Sequence, residues 1–199
     1  MSSNPHVVAE IHLPTTLSFT SGPDPELKLT LTLVGSQHPV TVSKNNYHIF
    51  TPTNAFTITE VASGRVIQTI FVDIYRKYGT PLRLDSEHLD RFLTLEPGVP
   101  CEAFKTNFRP LGQERKGVQG TATPTVSSDD PRQKYKFLES GMHWLEPGKQ
   151  YLIRAREGAR FATWRWGRKE ELKPCYWHES DGEDLEIIPG EGVEVQVEE

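Results

Sequence analysis

The nine residues ELKLTLTLV, at positions 26–34, alternate apolar and polar side chains without a break. In a β-strand successive side chains point to opposite faces, so this alternation predicts a strand with one buried and one solvated face. The face predicted to be buried consists of four leucines: Leu27, Leu29, Leu31 and Leu33. The stretch therefore indicates a sheet packed on one side against a hydrophobic core.

Similar short runs, separated by turn signals, occupy much of the chain. VVAEIHLP, at 7–14, also alternates, and between it and ELKLTLTLV lies SGPDP at 21–25, a cluster of turn-forming residues. Further strand-like runs are PVTV, YHIF, AFTITEV, RVIQTIFVDIY, RFLTL and CEAFKTNF. Single helical turns are predicted in DSEHLDRFL, capped by Asp85 or Ser86, and in RKEELK at 168–173. Many short strands with few helices predict an all-β fold, a sandwich or a barrel of antiparallel pairs.

Length and composition favour one domain over residues 1–199, because a chain of this size can bury a hydrophobic core without disulfides. No stretch approaches the roughly 20 apolar residues that span a bilayer. The sequence MSSNPHVVAEIHLP lacks the basic start and apolar run of a secretion signal. Cys101 and Cys175 are too few for a disulfide framework and lack metal spacing, so buried free thiols are expected. We expect a cytoplasmic protein without a membrane partner.

The formal charge of −5 is unevenly distributed. Residues 149–173 hold eight basic and three acidic side chains, whereas residues 179–199 hold nine carboxylates and no Lys or Arg. We expect these two segments to attract each other. Because phosphate contact requires a sustained basic face, a nucleic-acid partner is not expected. Residues 109–134, rich in proline and glycine, predict a long irregular loop.

The letters LEPG occur twice, at 95–98 and 145–148. Proline fixes φ for the first corner of a turn, and glycine supplies the positive φ that a type II turn requires next. The flanking sequences differ, VPCEAFKT after the first copy and KQYLIRAR after the second. The doubling therefore indicates one turn used at two corners rather than a duplicated domain.

The second copy continues as Leu-x-Pro-Gly-x-x-Tyr followed by alternation, which resembles the tyrosine corner of immunoglobulin-like and fibronectin-type sandwiches. Tyr151 is the residue whose hydroxyl would bond back to the preceding backbone. VEVQVE at 193–198 is predicted to pair with this strand. Opposite charges across that pair, which would help set its register, are expected from four side chains: Glu194, Glu198, Arg154 and Arg156.

With the hairpin AFTITEVASGRVI and the segment FLTLEPG, residues 26–156 resemble the immunoglobulin-like intracellular proteinase inhibitor family and similar fungal β-sandwich proteins. The resemblance implies an immunoglobulin-like antiparallel β-sandwich and binding to a protease. Residues 157–199 would then form a C-terminal extension that closes one sheet.

The segment FATWRWGRKEELKPCYWHE, at 161–179, combines aromatic and basic side chains. On a strand Trp164 and Trp166 share one face, and because burying Arg165 unpaired is costly, the tryptophans are predicted to pack in the core. The alternative is a binding groove, although Tyr176 and Trp177 point to opposite faces of any strand. The candidate residues of the groove are Trp164, Arg165, Trp166, Arg168, Tyr176 and Trp177, and those near an alternative pocket between the sheets are Trp164, Trp166, His143 and His178.

No catalytic motif is present. His88 lies among Asp85, Glu87 and Asp90, and His178 lies beside a second acidic group, yet adjacent carboxylates in turns are usually solvated, so no metal and no cofactor are expected. The favoured hypothesis is a non-enzymatic module that binds a protein partner, for example a protease, through 109–134 or 161–179. The alternatives are a cofactor-free enzyme or binder of a hydrophobic metabolite, and a carbohydrate-binding module.

Overall fold

The computed structural model describes residues 4–18, 25–45, 47–50, 52–67, 82–108 and 145–198. The predicted loop at 109–134, His143 and most of RVIQTIFVDIY lie outside these ranges. The first strands are β1 (His6–His12), β2 (Thr16–Ser18), β3 (Glu26–Val34), β4 (Val40–Ser43), β5 (Phe56–Glu60), β6 (Val66–Ile67), β7 (Arg83–Leu84) and β8 (Phe92–Leu95). The later strands are β9 (Cys101–Asn107), β10 (Gln150–Ala155), β11 (Arg160–Phe161), β12 (Trp164–Trp166), β13 (Cys175–Tyr176), β14 (Leu185–Pro189) and β15 (Val193–Glu198).

Helical structure is confined, in the described residues, to α1 (Tyr47–Phe50), α2 (Pro52–Ala55) and a 3-10 turn at Leu89–Arg91. The all-β prediction is thus confirmed. None of the described helices is long and apolar enough to cross a membrane.

Two five-stranded sheets form the body of the protein. The first sheet has the order β11-β14-β1-β3-β9 and the second has the order β2-β15-β10-β5-β6. Side chains from both sheets enter one buried cluster, in which the four leucines of β3 are fully covered. Opposite them the second sheet contributes Ile58, Tyr151, Ile153 and Val195. The predicted alternation is therefore the pattern that builds the sandwich-like core.

Among the described residues there are also a third sheet of order β12-β4-β8 and a fourth of order β13-β7. The strands of the third sheet come from three separate parts of the chain. Strand β4 lies in the connection from β3 to β5, β8 lies just before β9, and β12 lies in the connection from β10 to β15. Val40 and Val42 of β4 are fully buried in the main cluster, so this sheet is packed against the body.

Both LEPG turns have the predicted geometry. Gly98 and Gly148 have φ of 69° and 81°, the positive values that the turn demands. The Val99 N–H donates to the Glu96 carbonyl over 3.2 Å, and the Lys149 N–H donates to the Glu146 carbonyl over 3.3 Å. One local solution therefore serves both corners.

The tyrosine corner is also confirmed. Tyr151 is fully buried, and its hydroxyl oxygen accepts a hydrogen bond from the Glu146 backbone N–H at 2.9 Å. This bond ties the LEPG turn to the start of β10. It satisfies a backbone donor that lies outside the strand ladder.

The pairing of 193–198 with β10 is confirmed, but the expected charge pairs are wrong. The register places Ile153 opposite Val193, so Arg154 and Arg156 lie beyond the end of the ladder. Arg154 Nε instead donates to the Gly190 carbonyl at 2.8 Å, and Arg156 Nε donates to the Asn54 carbonyl at 2.7 Å. The arginines therefore bind the backbone of neighbouring connections.

Two strand pairs are parallel, β1 with β14 and β2 with β15, which corrects the expectation of antiparallel pairs alone. The segment 157–199 does not close one sheet as expected. It supplies β11 and β14 to the first sheet, β15 to the second, β12 to the third and β13 to the fourth. Strand β15 is an interior strand, because β2 pairs along its outer side.

Three local predictions have different outcomes. YHIF forms the helical turn α1, since periodicity over four residues does not separate a helical turn from a strand. RKEELK forms a single turn, as predicted: the Glu171 and Leu172 N–H groups both donate to the Arg168 carbonyl, and Pro174 disfavours continuation of helical geometry at Lys173. Asp85 caps a turn as predicted, because its Oδ1 accepts the Glu87 N–H at 3.1 Å, whereas the 3-10 turn that follows at Leu89–Arg91 has no side-chain cap.

Candidate functional site

The tryptophans of the WRW motif lie on β12, at the edge of the third sheet, where Trp164 pairs with Val42 and Trp166 pairs with Val40. The other edge of β12 is covered by residues 179–184, here called the acidic loop. The Asp181 N–H donates to the Trp164 carbonyl at 3.1 Å, and the Asp181 carboxylate accepts the Trp166 N–H at 2.8 Å. An exposed strand edge is thereby satisfied within the chain.

Trp164 is held in one position by packing and by a hydrogen bond. Its side chain is 3% exposed, and its indole Nε1–H donates to the Glu183 carbonyl at 2.8 Å. Gly182 lies against the six-membered ring, where an added Cβ would stand 2.8 Å from Trp164 Cζ2. Glycine is therefore required at this close approach.

Trp166 stands on the same face but remains 39% exposed. Its ring meets that of Trp164 edge-on, with centroids 4.8 Å apart and an interplanar angle of 87°, and His38 contacts it from another side at 6.4 Å. The prediction that both tryptophans pack in the core is right for Trp164 and wrong for Trp166. The buried cluster includes Trp164 alone of the pair, so the edge strand leaves the second indole at the surface.

Arg165 points to the opposite face of β12, where its charge is paired. Nη1 lies 3.3 Å from Asp181 Oδ1, and Nη2 lies 3.3 Å from Glu179 Oε2. Arg160 makes a further ion pair with Asp184 at 2.9 Å. The predicted attraction between the basic and acidic segments is therefore confirmed, and it fastens the acidic loop to β11 and β12.

An open cleft of ≈ 340 Å³, here called the aromatic cleft, lies between the tryptophans and the acidic loop. It is lined by Asn4, Pro5, Trp164, Trp166, Asp181, Gly182, Glu183, Asp184 and Leu185. Its charged lining residues are all acidic. An indole face beside carboxylates can bind an organic cation through cation–π attraction, or a sugar ring through stacking and hydrogen bonds.

The remaining candidate residues that the structure describes do not join this cleft, and His143 lies outside the described residues. Tyr176 is 53% exposed on β13, with the guanidinium carbon of Arg83 5.9 Å from its ring centre. Trp177 is buried in a separate small cluster, where its ring lies 4.7 Å from that of Phe92. The prediction that Tyr176 and Trp177 point to opposite faces is confirmed, and the single groove containing both is not formed. His178 is exposed, with Nε2 3.6 Å from Glu179.

Arg168 has a structural partner in the first LEPG turn. Its Nε lies 2.6 Å from Glu96 Oε1 and its Nη1 lies 3.2 Å from Glu171 Oε1, and these carboxylates raise the pKa of the guanidinium. The pair joins the turn after β8 to the segment after β12. We therefore assign Arg168 to holding the third sheet together.

His88 is hydrogen-bonded to one of its acidic neighbours. His88 Nδ1 lies 2.7 Å from Asp85 Oδ1, and this hydrogen bond lowers the pKa of Asp85. Within the described ranges no group of three or more His, Cys, Asp or Glu side chains could hold a metal ion.

Cys101 and Cys175 are both free and half-buried rather than fully buried, and burial raises the pKa of the Cys101 thiol.

Three residues that line the cleft were not predicted from the sequence: Asn4, Pro5 and Gly182. The Asp-Gly pair at 181–182 beside a Trp-x-Trp motif is the one local clue, since an indole face packs closely on a backbone without Cβ. The sequence matches no protein-family model, and no curated protein or solved structure is significantly similar to the chain. The geometry of the cleft is therefore the basis for assigning a function.

Proposed function

We propose that this protein is a non-enzymatic binding module that engages a protein partner through the aromatic cleft. The observation that carries the proposal is the 39% exposure of Trp166 on a frame that is otherwise fixed by hydrogen bonds. Tryptophan is among the residues most often found at the energetic centre of protein interfaces. An indole that is already ordered loses little conformational entropy on binding.

The strand arrangement supports an immunoglobulin-like relationship. Strands β1-β3-β9 oppose strands β15-β10-β5, and the corner tyrosine begins β10, as expected of that sandwich. In variable-type immunoglobulin domains the binding loops include the connections that correspond to β3–β5 and β10–β15. Strands β4 and β12 come from these two connections and pair with each other. The aromatic cleft therefore lies where such folds carry binding residues.

A protease is one partner of the proposed kind, in keeping with the resemblance to intracellular proteinase inhibitors. The half-buried free thiols of Cys101 and Cys175 suit the reducing cytoplasm, which is the location we propose. A deep closed pocket would favour a hydrophobic metabolite, and the aromatic cleft is open. A sugar remains the alternative ligand, because the exposed indole of Trp166 provides a stacking surface.

The proposal is tested by selecting peptides from a displayed random library on the immobilised full chain, with a panel of oligosaccharides screened in parallel. We expect selected peptides to lose affinity by about tenfold or more in Trp166→Ala, because truncated interface tryptophans typically cost above 1 kcal/mol. Tyr176→Ala is the matched control, since it removes an exposed aromatic side chain outside the cleft. That variant should bind the peptides like the wild type.

Two results would overturn the proposal. Selection of no peptide together with oligosaccharide binding that Trp166→Ala abolishes would assign the cleft to carbohydrate. Peptide binding that Trp166→Ala and Tyr176→Ala affect equally would show that the partner does not use this cleft.

A further inference from the structure

Resting on the proposed function, we infer that the aromatic cleft selects a cationic side chain, a lysine or an arginine, in its protein partner. The inference depends on the charge that surrounds the exposed indole. The acidic loop carries four carboxylates: Glu179, Asp181, Glu183 and Asp184. Arg165 and Arg160 pair with three of them, which leaves the acidic loop with two more negative than positive charges, and the charged residues that line the cleft are all acidic.

Glu183 is the carboxylate best placed to receive a ligand. Its backbone carbonyl accepts the Trp164 indole N–H, which anchors the residue in the wall of the cleft. Its side chain is exposed and makes no ion pair among the described residues, unlike Asp181 and Asp184. A ligand cation can therefore approach Glu183 without breaking an existing pair.

The indole supplies the second attraction. Tryptophan has the strongest cation–π interaction of the aromatic side chains, effective within about 6 Å of the ring centre. Trp166 offers an exposed ring next to the carboxylates, so one cation can meet both. The long aliphatic stem of lysine or arginine can at the same time cover apolar surface such as Leu185 and Pro5.

Other side chains fit the cleft less well. An apolar side chain would cover the carboxylates without compensating them, which is costly, and an acidic side chain would meet like charge. The open cleft of ≈ 340 Å³ has room for a long side chain but not for a folded element. The chemistry therefore points to a single basic side chain from an exposed segment of the partner.

The test uses capped pentapeptides in which the central residue between glycines is lysine, arginine, norleucine or glutamate. Binding to the full chain is followed by the NMR resonance of the Trp166 indole N–H, identified by its loss in Trp166→Phe. We expect the lysine and arginine peptides to shift this resonance with millimolar affinity and the other two peptides to leave it unchanged. The affinity should fall several-fold between about 20 and 300 mM NaCl, because salt screens exposed charges.

Glu183→Gln removes the charge while keeping the size of the side chain. It should weaken the lysine peptide about twofold to fivefold, the range expected for one exposed charge contact of up to about 1 kcal/mol. Glu194→Gln is the matched control, since it makes the same charge change at an exposed position on β15. That variant should bind the peptide like the wild type, and both variants should keep the wild-type melting temperature.

Two results would overturn the cationic selectivity while leaving the cleft as a protein-binding site. One is that the norleucine and lysine peptides shift the Trp166 resonance equally. The other is that Glu183→Gln and Glu194→Gln bind the lysine peptide with equal affinity. Failure of the library-selected peptides as well as the pentapeptides to perturb Trp166 would overturn both proposals.

Discussion

Replacing Tyr151 by phenylalanine tests the tyrosine corner with the smallest possible change. The substitution keeps the buried ring and deletes the hydroxyl that accepts the Glu146 N–H at 2.9 Å. Since the ring is fully buried, phenylalanine leaves that donor without its partner. A donor that loses its partner in this way costs about 1–3 kcal/mol. Because this hydrogen bond is only partly buried, we expect the lower part of that range, about 1–2 kcal/mol.

For a chain of this size each kcal/mol lowers the melting temperature by about 2–4 °C, so Tyr151→Phe should lose about 2–8 °C. Urea unfolding followed by circular dichroism should show a lower midpoint with an unchanged slope. Tyr176→Phe is the control, because that exposed hydroxyl makes no hydrogen bond among the described residues. A Tyr151→Phe protein as stable as Tyr176→Phe would refute the stabilising role of the corner.

Two further changes address the cleft and the strand end near the corner. Gly182→Ala would place a methyl group 2.8 Å from Trp164. It should therefore lower the free energy of unfolding by about 1–3 kcal/mol and shift tryptophan emission to longer wavelength. Emission and stability like those of the wild type would contradict the close packing. Hydrogen bonds from Ser63 and Lys149 lower the pKa of Glu60 from 4.5, so its stabilising effect is present above pH 4.5 and lost as the pH falls through the lowered value. The gap in melting temperature between wild type and Glu60→Gln should therefore close on going from about pH 7 to pH 3, and a gap that is constant with pH would contradict this assignment.

The buried faces of the strands could be predicted because period-two alternation is a local property. Leu27 to Leu33 and Tyr151 to Ala155 are buried at every second position, as their patterns indicated. The LEPG turns and the tyrosine corner were also predictable, since proline, glycine and tyrosine act there within a few residues. The attraction between the basic and acidic segments followed from charge alone.

The neighbours of each strand were decided by the tertiary structure. The alternation of apolar and polar residues predicts which face of a strand is buried. It does not predict which neighbouring strand the backbone will hydrogen-bond to. The parallel pairs of β1 with β14 and β2 with β15 therefore could not be foreseen, nor could the third sheet. Trp164 and Trp166 have the same local pattern, yet only the first reaches the buried cluster. The acidic loop binds the two tryptophans differently, through residues 15 or more positions away in the sequence. The Glu183 carbonyl accepts the indole N–H of Trp164, whereas Asp181 accepts only the backbone N–H of Trp166, whose indole stays partly exposed.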